Sequence, residues 1–147
     1  MAIANYPLVE ALRRTINKIR HNPKYQWGHM GLCNCGHLAQ ELTNYTQGEI
    51  HHYALRAREG DWADQVAAFC PQSKLPMDLV ITKMLEAGLT TDDLKHLERL
   101  TDPEILSYMG YGEAVLQHNR KEDVLRYMMA WANMLEEELV KKEKLSA

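Results

Sequence analysis

Helix starts and helix stops follow one another along this chain with no convincing strand between them, and that alternation limits what it can fold into. Leu8, Leu12, Ile16 and Ile19 recur at helical spacing and predict a first helix over 7–20. His21-Asn22-Pro23 stops it, because a residue before proline is pushed out of the helical region. A short helix over 35–45, with Asn34 as its N-cap, would bury Leu38, Ala39 and Leu42. Thr46-Gln47-Gly48-Glu49 has the spacing of a capping box and opens a helix carrying Ile50, Tyr53, Ala54 and Ala57, ending before Gly60. Asp61 caps the next, whose apolar positions are Trp62, Val66 and Phe69, and Cys70-Pro71 closes it.

The second half continues in the same way. Beyond the polar connection 71–76 a helix runs to Gly88 with Leu79, Val80, Met84 and Leu85 inside. Thr90 or Thr91 begins a short helix with Leu94, Leu97 and Leu100, and Thr101-Asp102-Pro103-Glu104 starts another with proline in its first turn. Residues 107–112 break the pattern, and the segment from Tyr108 to Gly112 could line a pocket with aromatic rings. From Asn119-Arg120-Lys121-Glu122 a long last helix places Val124, Met128, Trp131, Leu135 and Leu139 on one stripe, facing the core or a dimer contact. The expectation is an all-α, single compact domain over 1–147, of about seven or eight helices with a long C-terminal helix, and a homodimer is possible. A chain of 147 residues buries enough surface to fold without a metal or disulfide.

Charge and targeting signals narrow the function classes. The net charge of −3 hides an asymmetry: Met1 to Gly60 carry seven Lys or Arg against four Glu, and the remainder ten against sixteen acids. Arg13, Arg14, Lys18, Arg20 and Lys24 could follow phosphates, but the excess is small for a nucleic-acid domain, and a solvated helix face explains it. No stretch reads as a membrane span, and Ala2 to Leu12 lack the basic start and apolar core of a secretory signal. A cytoplasmic protein with reduced Cys33, Cys35 and Cys70 is expected.

The segment Trp27-Gly28-His29-Met30-Gly31-Leu32-Cys33-Asn34-Cys35-Gly36-His37 holds two of the three cysteines, two of the seven histidines and three of the eight glycines. Soft sulfur and borderline nitrogen donors among flexible glycines predict a transition-metal site with His29, Cys33, Cys35 and His37 as ligands, zinc as the first choice and iron open. Should His37 point away, Cys70, His51 or His52 would replace it.

Three other readings use the same residues. A cysteine just after an N-cap sits at the positive end of the helix dipole, so Cys35, or Cys33, is a candidate thiolate nucleophile, with His29, His51 or His52 as base and amides near Gly36 as oxyanion donors. Cys33-x-Cys35 could also form a strained, easily reduced disulfide. In the third, the protein is a helical interaction module, Gly28, Gly31 and Gly36 shape a tight turn, and the cysteines are small buried apolar side chains. Cys70 beside Phe69 is expected in the core, and Asn34→Asp is expected to preserve the cap while lowering thiol reactivity.

Overall fold

In the computed structural model, residues 1–110 and 116–146 are described, and every regular element among them is a helix. The eight are α1 (Tyr6–His21), α2 (Asn34–Leu42), α3 (Gln47–Ala57), α4 (Trp62–Ala67), α5 (Pro76–Glu86), α6 (Thr91–Arg99), α7 (Pro103–Tyr108) and α8 (Lys121–Ser146). The alternation of caps and stops therefore yields the expected all-helical chain with a long last helix.

Local signals act where they were expected. Thr46 with Glu49, Asp61 with Asp64, and Thr90 with Asp93 each form a reciprocal capping box, so two first-turn amides are satisfied at every one of these starts. Asp102 caps α7, and Gly88 follows α5 with φ at 115°, a conformation that side chains resist. Tyr111 and Gly112 of the expected aromatic loop lie outside the described residues.

α1 and α8 form the long antiparallel spine. Lys121 Nζ donates to Asn22 O at one end, Arg13 reaches Asn133 and Glu136 in the middle, and Tyr6 Oη donates to Glu143 at the other. Between them Leu8, Leu12, Ile16 and Ile19 meet Val124, Met128, Trp131 and Leu135 in a core that also takes side chains from α2, α5 and α6. The basic face of α1 is engaged internally: Arg13 pairs with Glu136, and both Arg14 and Lys18 with Glu41 of α2. Those side chains tie helices together, which removes most of the basic stripe that phosphates would need. Among the described residues no helix is long and apolar enough to cross a membrane.

Three expectations about individual residues fail. Cys70 is exposed and not in the core, because α4 ends at Ala67 and the chain leaves the helix before reaching it. Leu79 is also exposed, since α5 turns Met77, Val80, Ile81 and Met84 inward. The cap of α2 is Cys33, whose sulfur accepts the Gly36 amide, while Asn34 is already inside the helix.

Candidate functional site

The Cys/His segment is buried as a strip: every residue from Met30 to Ala39 lies out of solvent. A loop can be buried only if its backbone groups find partners, and here they do. Met30 O accepts from Trp62 Nε1 at 2.8 Å, and Gly31 O from Gln40 Nε2 at 2.7 Å. Met30 N donates to His51 Nδ1 and Gly31 N to His29 Nδ1, both at 3.0 Å. The two imidazoles stack at 4.0 Å between centroids with planes 17° apart, and both are neutral as acceptors. Burial, with His51 alongside, lowers the His29 pKa and favours that state.

The glycines serve close approach. A Cβ on Gly31 would fall 2.0 Å from Gln47 O at the start of α3, and one on Gly36 would fall 2.3 Å from Met30 O. Backbone therefore packs directly on backbone at both positions, which locks the loop to α3 on one side and α2 on the other.

Both sulfurs face α6, one turn apart. Cys35 Sγ donates to Leu94 O at 3.1 Å, and Cys33 Sγ donates to Glu98 Oε2 at 3.3 Å. Both thiols are fully buried, and burial together with the Glu98 carboxyl pushes their pKa values well up. The helix start does lower the Cys33 value through the Gly36 amide, but desolvation dominates. Glu98 itself is 1% exposed, has no partner at Oε1 among the described residues, and is pushed by burial up to about 8. Sequence reasoning passed over Glu98 because Lys95, His96 and Arg99 surround it with charge, although its position four after Leu94 places it on the same helix face.

Asn34 ties this cluster together. Its Nδ2 donates to Leu97 O, Glu98 O and His118 O, and its Oδ1 accepts from Tyr25 Oη at 2.5 Å. Trp27 Nε1 donates to Glu98 O, and its ring lies against His118 at 4.7 Å and under the Arg99 guanidinium at 5.4 Å.

The expected metal centre is overturned. Among the described residues no three His, Cys, Asp or Glu groups converge on a point that could hold an ion. His29 is turned to Gly31 N and His51, the sulfurs of Cys33 and Cys35 to α6, and His37 to Cys33 O and Asn22. The replacement ligands fare no better, since Cys70 is an exposed loop residue and His51 is bound to Met30 N. Donor types close in sequence were pulled apart by helical rotation and by separate backbone partners. The geometry speaks equally against a thiolate at Cys33 or Cys35, because each is a buried donor and His52 lies on the exposed side of α3. Cys33, Cys35 and Cys70 are all free thiols.

A second feature lies on that exposed side. α3 and the start of α5 enclose a cleft of about 240 Å³ lined by His52, Tyr53, Arg56, Ala57, Leu75 and Pro76. Tyr53 is held in place by an edge-on contact with Tyr45 at 5.5 Å and by its hydroxyl on Glu49. The spacing of His52 and Arg56 puts both on one face of α3, but only Leu75 and Pro76, from a different element, turn that face into a concavity.

No protein-family model, curated protein or solved structure matches this chain.

Proposed function

We propose that the chain is a binding protein for a small organic ligand taken up in the cleft between α3 and α5, with the Cys/His segment as the clasp that fixes α3 in place. The observation that supports it is the cleft itself: an apolar floor of Ala57, Leu75 and Pro76 beside two polar side chains, Arg56 and His52, neither of which meets a carboxylate among the described residues. Small-molecule sites combine an apolar lining with a few orienting polar groups in this way. A volume of about 240 Å³ is below that of drug-sized pockets, so the ligand is small.

The clasp fits this role. His51, bound to Met30 N, precedes His52 in the same helix, and Gln47 at the start of α3 rests on Gly31. The buried segment thus sets the position of the helix that lines the cleft.

Amide shift mapping of the ¹⁵N-labelled chain against mixtures of small organic molecules tests the proposal. Shifts concentrated at residues 52–57 and 75–77 are expected, and an Ala57→Leu variant that fills the cleft should lose them. Shifts concentrated at residues 27–37, or unaffected by A57L, would overturn it.

A further inference from the structure

We infer that the ligand of this cleft is a monocarboxylate with a small aryl or alkyl body, its carboxylate held by Arg56 and its body lying on Ala57, Leu75 and Pro76. The inference rests on the ligand-binding reading above and adds the chemical class.

Arg56 differs from several other arginines of the chain. Arg58, two residues on, makes a bidentate pair with Asp78 at 3.0 and 2.9 Å, and Arg13 and Arg14 meet Glu136 and Glu41. Among the described residues Arg56 meets no carboxylate, although it lines a concave site. The acid one turn before His52, Glu49, is already engaged by Thr46 N at 3.0 Å and by Tyr53 Oη at 3.3 Å. A planar guanidinium fork matches a planar carboxylate, and charge-assisted pairs of that kind are about twice as strong as neutral hydrogen bonds.

The remainder of the lining decides against a bare inorganic anion. Ala57, Leu75 and Pro76 offer no charge or hydrogen-bond donor side chain, so they contribute only to a ligand with apolar surface to bury. Tyr53, fixed by Tyr45 and Glu49, supplies a preset aromatic wall for a flat or short body. His52, four residues before Arg56, adds a second polar group at the same edge.

Titration of the full labelled chain with phenylacetate, phenylacetamide and inorganic phosphate at constant ionic strength tests the assignment. Phenylacetate should shift residues 52–57 and 75–77, with at least tenfold weaker binding of the amide and no saturable binding of phosphate. Arg56→Gln, on an exposed side chain, should leave the spectrum of the free protein in place and weaken phenylacetate about tenfold. Equal binding of phenylacetate and phenylacetamide in the cleft, or phosphate binding as tight as phenylacetate, would overturn the carboxylate assignment while leaving a ligand site standing. Undiminished phenylacetate binding by R56Q overturns it too. The absence of cleft shifts with all three probes also sinks the assignment, and the mixture screen with A57L then decides separately whether the cleft binds anything else.

Discussion

The Cys33 thiol donates to the Glu98 carboxyl across 3.3 Å, joining residues 65 positions apart in the chain inside a region closed to water. Burial keeps both groups uncharged: together with the carboxyl it raises the thiol pKa, and it holds the carboxyl protonated up to about pH 8 although the thiol hydrogen bond by itself favours the carboxylate.

This gives stability a definite pH dependence. Unfolded Glu98 releases its proton near 4.5, whereas the folded chain holds it to about 8, so the unfolded state binds fewer protons in between and stability falls as pH rises through that window. His29 and His37 act oppositely: burial lowers both from 6.5, so their contribution is complete above 6.5 and is lost as pH falls below it. Between 6.5 and 8 only the Glu98 effect remains of these three. Urea unfolding there should show stability dropping by up to about 1.4 kcal/mol per pH unit, and Glu98→Gln should abolish the slope. A slope that persists in E98Q would assign it to another group.

Thiol labelling should separate the three cysteines sharply. With iodoacetamide at pH 7.5, native protein is expected to take one label, at exposed Cys70, and urea-unfolded protein three. Fast native labelling of Cys33 or Cys35, read by peptide mass, would contradict their place behind α6.

Asn34 should tolerate neither of two conservative changes. Asn34→Ala removes the donor to three carbonyls and is expected to cost about 2 to 3 kcal/mol. Asn34→Asp should cost more, because it sets a carboxylate against those same oxygens. This reverses the expectation that Asp would keep a cap intact, since Asn34 is not the cap. Thermal melts of the two variants give the order directly.

The glycines offer an internally controlled comparison. Gly31→Ala and Gly36→Ala drive a methyl group into backbone atoms, and a loss of about 3 kcal/mol or more is expected because backbone cannot yield as a side chain can. Gly48→Ala, with nothing within 4 Å, should instead stabilise α3 by about 0.5 to 1 kcal/mol. Similar melting temperatures for all three would remove the close-packing account of the segment.

What the sequence determined by itself is local. The capping boxes at Thr46, Asp61 and Thr90, the proline starts of α5 and α7 and the glycine stop at Gly88 act within one helical turn, where the partner is always three or four residues away. Apolar spacing then chose the inward stripe of α1 and α8. Residues 27–37 could also be recognised as unusual, because such a density of glycine, cysteine and histidine has few explanations. Which explanation holds was decided only in three dimensions. Whether a thiol is a ligand, a nucleophile or a buried donor depends on what stands 3 Å from its sulfur, and here that is Leu94 O and Glu98 of α6. The same holds for the neutralised α1 stripe, which needed Glu41 and Glu136 from other helices, and for the α3 cleft, which needed Leu75 and Pro76. Short-range interactions are encoded in neighbouring letters; the environment that sets a side chain's charge and chemistry comes from segments brought together by burial of the common core.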